Sequence, residues 1–379
     1  LPMAIEITGA LVLASPAHQA ALMSKGEKGP RRTQTIPVFE LATDQMRTVP
    51  IISSNSVRGR LRRLAAARVF HAFEARGERI SRDTFLAVSR GSVGRGDVNL
   101  HSGAEAIVEG ARHVFAGMFG GGPAMLHSRY QLAVLLPMIQ WTKDLLPPAL
   151  QREVLPESAY VFEREGEGGT VKQSVALTSV MMWTARDPLL DGQGAGVVQD
   201  YAGTLKDWLA MMEAESAEHK AAGLKKKNPK AAAEGDAGED EVAQPGARSA
   251  LRNFGEIRVI PPGMPLQWHM TTSESASLAQ EGLLLLALAD FCRLNSLGGG
   301  GARGMGRFKG HRLQFSASGD APVALFSGED YAFNLASPAI KSRIDAAQEA
   351  LSSMTAASID AAFGLSQGKP ATAKKGDTE

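Results

Sequence analysis

Two short stretches of the chain carry the residue types that grip an anion. The first runs Val49-Pro50-Ile51-Ile52-Ser53-Ser54-Asn55-Ser56-Val57-Arg58-Gly59-Arg60-Leu61-Arg62-Arg63. Ser54 or Asn55 can cap a helix here, and a helix start exposes unpaired backbone N–H groups at the positive end of the dipole. Asn55 and Ser56 add side-chain donors, and Arg58, Arg62 and Arg63 add cations within two turns. Such a constellation suits a sugar-phosphate backbone. The plainer alternative is an ordinary capped helix with a charged outer face.

The second stretch, Leu297 to Lys309, reads LGGGGARGMGRFK. Successive glycines let the backbone turn through positive φ and approach a ligand closely. Arg303, Arg307 and Lys309 supply charge. The Gly-Lys-Ser/Thr ending of a phosphate-binding ATP loop is missing, so the stretch does not point to nucleotide hydrolysis. The alternative is a flexible helix-to-strand connection.

Other reactive side chains are sparse. His18 and His71 could act as an acid-base pair, because histidine titrates near neutrality; the plainer reading makes one a loop residue and the other a helix-surface residue. His101, His113 and His127 are too scattered to suggest a metal site, and the expectation is no metal and no cofactor. Met181, Met182, Met211 and Met212 read as packing residues. The single cysteine, Cys292, excludes an intramolecular disulfide and a multi-cysteine cluster.

The elements that must position these groups can be read from periodicity. Met3 to Leu13 reads as a first strand and Ser15 to Thr35 as a long loop. Thr48 to Ile52 is a short strand-like approach to the first helix, in which Val57, Leu61, Leu64 and Ala65 share a core-facing side. Loops follow at Gly91 to Gly96 and Gly117 to Gly122. Leu132 to Ile139 and Val171 to Trp183 are strand candidates. Leu205, Trp208, Leu209 and Met212 space as an amphipathic helix. From Glu218 to Ala250 large apolar residues nearly vanish, which predicts a mobile insertion, and the tail from Ser366 is similar. Glu256 to Ile260 and Leu266 to Thr272 resume as strands. Ser277 and Gln280 form a capping box for a helix with Leu284, Leu285, Leu288, Phe291 and Cys292 on one stripe. Arg307 to Phe315 is a last strand. This order predicts an α+β core with helices on one face of an antiparallel sheet.

The 379 residues are enough for one large or two smaller domains, and the 44% hydrophobic and 21% charged composition is ordinary for a globular chain. No apolar run approaches a membrane span, and the start of the sequence lacks a signal-peptide pattern, so no membrane partner and a cytoplasmic location are expected. The net charge of +1 hides an asymmetry: Lys25 to Arg95 holds 15 Lys/Arg against 6 Asp/Glu, and 13 of the 15 are arginine. Arginine's planar fork matches phosphate, so the block favours nucleic acid over mere solubility.

In this order and separation, the two stretches resemble the RAMP superfamily of CRISPR proteins. Pro50 through Arg62 is similar to the family's Pro-x-x-x-x-Ser/Asn-Ser-x-Arg/Lys-Gly-x-x-Arg segment, and Leu297 to Lys309 to its glycine-rich loop after the second core helix. Gly117-Met118-Phe119-Gly120 resembles a further Phe-Gly feature. Within the superfamily the chain looks most like the large backbone subunit (family seven) of type IV systems. The resemblance covers roughly 1–135 and 256–315 and is weak over 140–255.

The resemblance implies an RNA-recognition-motif-like (ferredoxin-like) palm made of 1–139 and 256–365, with a helical finger insertion at about 70–120. It further implies a thumb-like insertion at 140–255 and a disordered tail at 366–379. Asn55, Ser56, Arg58, Arg62 and Arg63 would contact guide RNA phosphates, followed by Arg303 and Arg307, with Arg31, Arg32 and Arg95 in loops as further contacts. The implied partners are guide RNA (crRNA), target DNA or RNA paired through the guide, other copies of the chain in a filament, and other CRISPR effector subunits. Base pairing would supply specificity, in keeping with the 6% aromatic content, low for a chain that stacks on bases. Type III relatives of this family cut RNA with an aspartate in the loop after the first strand. The stretch Ser15 to Pro37 has no aspartate, only Glu27, with Thr35 near the expected place and Asp44 further on. A non-catalytic subunit is therefore expected, the alternative being an endoribonuclease of the same superfamily.

Overall fold

The computed structural model describes residues 5–21, 32–91, 104–121, 126–166, 169–174, 177–186, 199–207, 209–210, 252–317 and 320–365. The expected mobile segment 218–250, the tail 366–379, and most of the loop Gly91 to Gly96 lie outside these residues.

Strand β1 (Ile5–Leu13) is the organising element. Ile5, Ile7, Leu11 and Leu13 are buried on one face, while Glu6, Thr8, Ala10 and Val12 alternate onto the other. This is the period-two pattern of a half-buried strand. A hairpin, β2 (Thr35–Glu40) and β3 (Gln45–Pro50), leads into helix α1 (Ser54–Ala75). Ser53 caps α1, one residue ahead of the expected cap, with its Oγ accepting from Ser56 N. Val57, Leu61, Ala65, Ala66, Val69 and Phe73 form its buried stripe. Three shorter helices follow, α2 (Arg82–Arg90), α3 (Ala104–Arg112) and α4 (Val114–Phe119), before strand β4 (Tyr130–Leu132). His113 caps α4 with Nδ1 accepting from Phe115 N and Ala116 N, and burial lowers its pKa from 6.5 to about 4.

Beyond β4 come the hairpin β5 (Val161–Gly166) and β6 (Gly169–Ser174), the pair β7 (Ser179–Arg186) and β8 (Arg252–Val259), and then β9 (Pro265–Thr272). Helix α5 (Leu278–Leu294) starts with the expected capping box of Ser277 and Gln280. It is buried on nearly every side, which its apolar run of Leu283–Leu286 requires. Short strands β10 (Phe308–Lys309), β11 (Gln314–Ala317) and β12 (Val323–Ala324) precede helices α6 (Pro338–Ser353) and α7 (Ala356–Ala362).

The main sheet has the order β12-β11-β1-β9-β4, antiparallel throughout, with β10 also paired to β1. Without the insertions the chain runs β1-α1-β4-β9-α5-β11, the ferredoxin-like βαββαβ plan. The fold is α+β, as the element order predicts. The face away from α1 and α5 presents Glu6, Thr8 and Ala10 of β1 opposite Thr271, His269 and the buried Gln267 of β9, with Gln314 and Ser316 of β11 and Gln131 of β4 beside them. None of these side chains is Phe, Tyr or Trp, and the one ring among them is the His269 imidazole.

Beneath α5 lies a buried ion pair. Arg343 Nε of α6 donates to Glu281 Oε2 at 2.8 Å, and the two side chains are 4% and 1% exposed. Thr272 Oγ1 donates to Glu281 Oε1 at 2.6 Å, and Ile5 N donates to Thr272 Oγ1 at 3.0 Å. Burial raises the Glu281 pKa, while the hydroxyl and the guanidinium oppose that rise.

The chain divides into two compact units. One comprises Leu1–Glu27, Arg31–Ser179 and Arg258–Glu379; the other comprises Lys28–Pro30 and Val180–Ile257. Residues 140–179, expected at the start of a thumb, group with the first. There the ring of Trp141 meets Tyr160 edge-on at 5.3 Å and Arg47 sits 5.1 Å over Trp141. In the second unit β7 and β8 pair, and residues 201–207 are helical. Several expectations need revision. Leu132 to Ile139 is strand only at Leu132, with isolated bridges at Leu135, Pro137 and Ile139, and Arg307 to Phe315 is split into β10 and β11. Val171 to Trp183 is two strands, interrupted between Ser174 and Ser179. The stretch expected as loop up to Thr35 gives way to β2, whose Pro37 and exposed Phe39 mask its alternation.

Candidate nucleic-acid interface

The chain from Ala14 to Ala21, just after β1, stitches the two motif segments together. At one end it meets the glycine loop: Gly306 N donates to Pro16 O at 2.7 Å, Gly299 N donates to His18 O at 2.7 Å, and Ala14 N donates to Arg307 O at 2.7 Å. These approaches leave no room for side chains. Gly298 and Gly306 hold positive φ of 66° and 73°, and a Cβ would lie 2.1 Å from His18 O and 1.9 Å from Leu297 O, respectively. At its other end the strap meets α1. Gln19 Oε1 accepts from Ser53 N at 2.9 Å, while Gln19 Nε2 donates to Ser53 Oγ at 2.5 Å and to Gln34 Oε1 at 2.7 Å. Arg60 adds a direct tie by donating from Nη1 to Ser296 O, the residue that opens the loop. Burial, and then the charge of Arg63, lowers the Arg60 pKa.

The start of α1 and the glycine loop therefore border one rim. Asn55 and Ser56 are exposed in the first turn of α1, which holds no acidic residue to offset the dipole. Arg63 is exposed one face away. Arg303 and Arg307 are exposed on the loop, with Arg303 ending a short 3-10 turn, Gly301–Arg303. Lys309 is exposed just after the loop, and Arg258 is exposed with its carbonyl accepting from His18 Nδ1 at 2.8 Å. Arg32 is exposed next to the strap, its carbonyl accepting from Ala21 N at 2.9 Å. Arg31 and Arg95 lie outside the described residues.

Arg58 and Arg62, both expected contacts, are held by groups of the protein itself. Arg58 donates from Nη2 to Ser128 Oγ and lies 5.3 Å over the Tyr130 ring, in a half-buried position. Arg62 is engaged more completely. Its Nε and Nη2 donate to Val88 O and Ala87 O at 2.9 and 2.8 Å, and its Nη1 donates to Phe119 O and Gly120 O at 3.0 and 2.8 Å. Four of its five donors thus bind the carbonyls that end α2 and α4. Burial brings its pKa down to about 10. Sequence reading places Arg62 on phosphate; these bonds make it a clamp between helix ends.

The histidines expected as an alternative acid-base pair are far from that role. His18 is 7% exposed with Nδ1 donating to Arg258 O at 2.8 Å, and His71 is on the outside of α1 beside Glu74. Asp44 sits at the tip of the β2–β3 hairpin, about 20 Å of strand from its base. Among the described residues no group of three acidic, histidine or cysteine side chains is placed to hold a metal, and no helix is long and apolar enough to cross a membrane. Gln19, Gln34 and Arg60 carried no sequence signal of their own. Gln19 and Gln34 lie in a stretch without periodicity, and Arg60 is one arginine in a run of four.

The fold and the rim define a ferredoxin-like α+β protein with a cationic edge built from its first core helix and the loop after its second. No family model matches the chain and no curated protein matches it. Among solved structures it is similar to a chain of a "Type IV-B CRISPR Complex", with 15% identity over 86% of this chain and 96% of that one and a TM-score of 0.43.

Proposed function

We propose that the protein is a non-catalytic, guide-RNA-binding backbone subunit of a CRISPR effector complex. It holds the sugar-phosphate chain and leaves the bases to read the target. The observation that carries this reading is the convergence of the two motif segments, 236 residues apart in sequence at Arg60 and Ser296, on one rim through Gln19, His18 and Arg60. Asn55, Ser56, Arg63, Arg303 and Arg307 are the proposed phosphate contacts, with Arg32 beside them and Arg58 at the inner edge. The outer sheet face has no Phe, Tyr or Trp, and its one ring, His269, is paired with Glu6 at 3.0 Å, which favours grip on the backbone over stacking on bases. The same reading includes head-to-tail copies along the guide, an open heterologous assembly, and other effector subunits as neighbours.

The test is binding of mixed-sequence single-stranded RNA across a salt series. Affinity should fall with a log–log slope of about −0.7 per neutralised phosphate and change little with base composition. A flat salt dependence would sink the reading. Absence of catalysis has its own check. Labelled target RNA paired to bound guide should remain intact with magnesium present, and steady product accumulation would favour the endoribonuclease reading instead.

A further inference from the structure

Two neighbouring residues of the strap, His18 and Gln19, hold opposite halves of the rim. His18 holds the glycine loop through its carbonyl, which accepts from Gly299 N at 2.7 Å, and its ring is anchored by the 2.8 Å bond to Arg258 O. Gln19 holds α1 through its half-buried side chain. Its Oε1 accepts from Ser53 N at 2.9 Å and its Nε2 donates to Ser53 Oγ at 2.5 Å, so one amide meets both the N–H and the hydroxyl of the residue that caps α1. That amide is itself braced. Nε2 reaches Gln34 Oε1 at 2.7 Å, Gln34 N donates to Gln19 O at 2.7 Å, and Gln34 O accepts from Ile51 N at 2.9 Å on the approach to α1. Only a head that carries an acceptor and a donor side by side can meet these partners together.

A single peptide unit therefore sets the spacing between Asn55, Ser56 and Arg63 on one side and Arg303 and Arg307 on the other. Two groups of cations and donors fixed at one spacing engage a strand together, because the second group meets it at high effective concentration once the first is seated. Groups free to shift against each other bind as separate, weaker sites. We propose that Gln19, which carries no charge, is the positioning residue of the grip: it couples the α1 contacts to the glycine-loop contacts, so that both engage phosphates of the same strand. This deepens the RNA-binding reading and rests on it.

The experiment compares the full chain with its Gln19→Ala variant in binding mixed-sequence single-stranded RNA across a salt series, with the folded state of each checked by urea titration. Gln19→Ala removes no cation, yet the salt slope should fall by about 1.4 in magnitude, the share of the two loop arginines, and affinity in low salt should drop at least tenfold. A variant that was merely less stable would keep the wild-type slope in its folded fraction. Coupling is read from a second substitution. Arg307→Ala should cost much less affinity in Gln19→Ala than in wild type, and should regain its cost in Gln19→Glu, whose carboxylate still accepts from Ser53 N. An unchanged slope in Gln19→Ala, an Arg307→Ala cost that ignores residue 19, or one that Gln19→Glu fails to restore would each overturn the positioning role and leave the phosphate grip standing. A flat salt dependence in the wild type would remove the grip itself. Should Gln19→Ala not fold, Gln34→Ala takes away a brace of the Gln19 amide and should lower the slope in smaller measure; the wild-type slope there would overturn the proposal equally.

Discussion

Arginine plays two opposed parts in this molecule, and the contrast between the α1 rim and the interior behind it is instructive. On the rim, Arg63 and Arg307 reach into solvent. Behind it, Arg62 closes the ends of two helices and Arg343 sits under α5 against Glu281. Arg62 and Arg63 are adjacent in sequence, yet a turn of about 100° on the helix separates a clamp from a free cation. A count of basic residues cannot distinguish them. Only the partners of each guanidinium can.

The sharpest test of the contrast is Arg343→Met. It strands Glu281 as an unpaired buried charge, and the expected loss is about 3–5 kcal/mol, read from the urea midpoint. The double variant Glu281→Leu/Arg343→Met should recover most of that loss, since the desolvation cost leaves with the pair. A single variant that melts like wild type would mean that the pair does not hold α5 to α6.

Next comes Arg62→Ala, which leaves four carbonyls without their donor. The expected cost is about 3 kcal/mol in stability. Arg62→Lys should recover little, because an ammonium cannot span both helix ends. Equal stability in Arg62→Ala and wild type would return this residue to the rim.

A smaller interior effect depends on pH. The His113 pKa is 6.5 when unfolded and about 4 when folded. Below pH 6.5 the unfolded chain takes up a proton that the folded chain refuses, so stability falls as pH drops toward 4. Between pH 7 and pH 5 the loss should be about 2 kcal/mol. His113→Asn keeps a capping side chain and should flatten the dependence.

The smallest effect on stability belongs to the rim. Arg63→Ala with Arg307→Ala should change it by no more than about 0.5 kcal/mol, yet the salt slope for RNA should drop by about 1.4 in magnitude. If this pair destabilises as much as Arg62→Ala, the division between clamp and rim is wrong.

The sequence made the core legible wherever burial is one-sided and periodic. β1, the stripe of α1, and the capping box with the apolar run of α5 all fall where the pattern places them. The β2–β3 hairpin escaped because its outer face carries Phe39, Leu41 and Met46 in solvent, which erases alternation. Helices α6 and α7 had no motif to flag them. Glu281 looked like an ordinary first-turn acid, since its partner lies 62 residues away. The site was half legible. Residue types marked its two ends, but the strap between them is held by Gln19 and by backbone amides, and such long-range polar ties leave no local pattern.

The sheet surface that faces away from α1 and α5 has a further consequence. Threonine, serine and one histidine–glutamate pair, His269 with Glu6 at 3.0 Å, stand on the outer side of the central strands and offer no large apolar ring for a base to stack on. On the proposed reading, a grip confined to phosphates and sugars would carry any strand equally well, whatever its sequence.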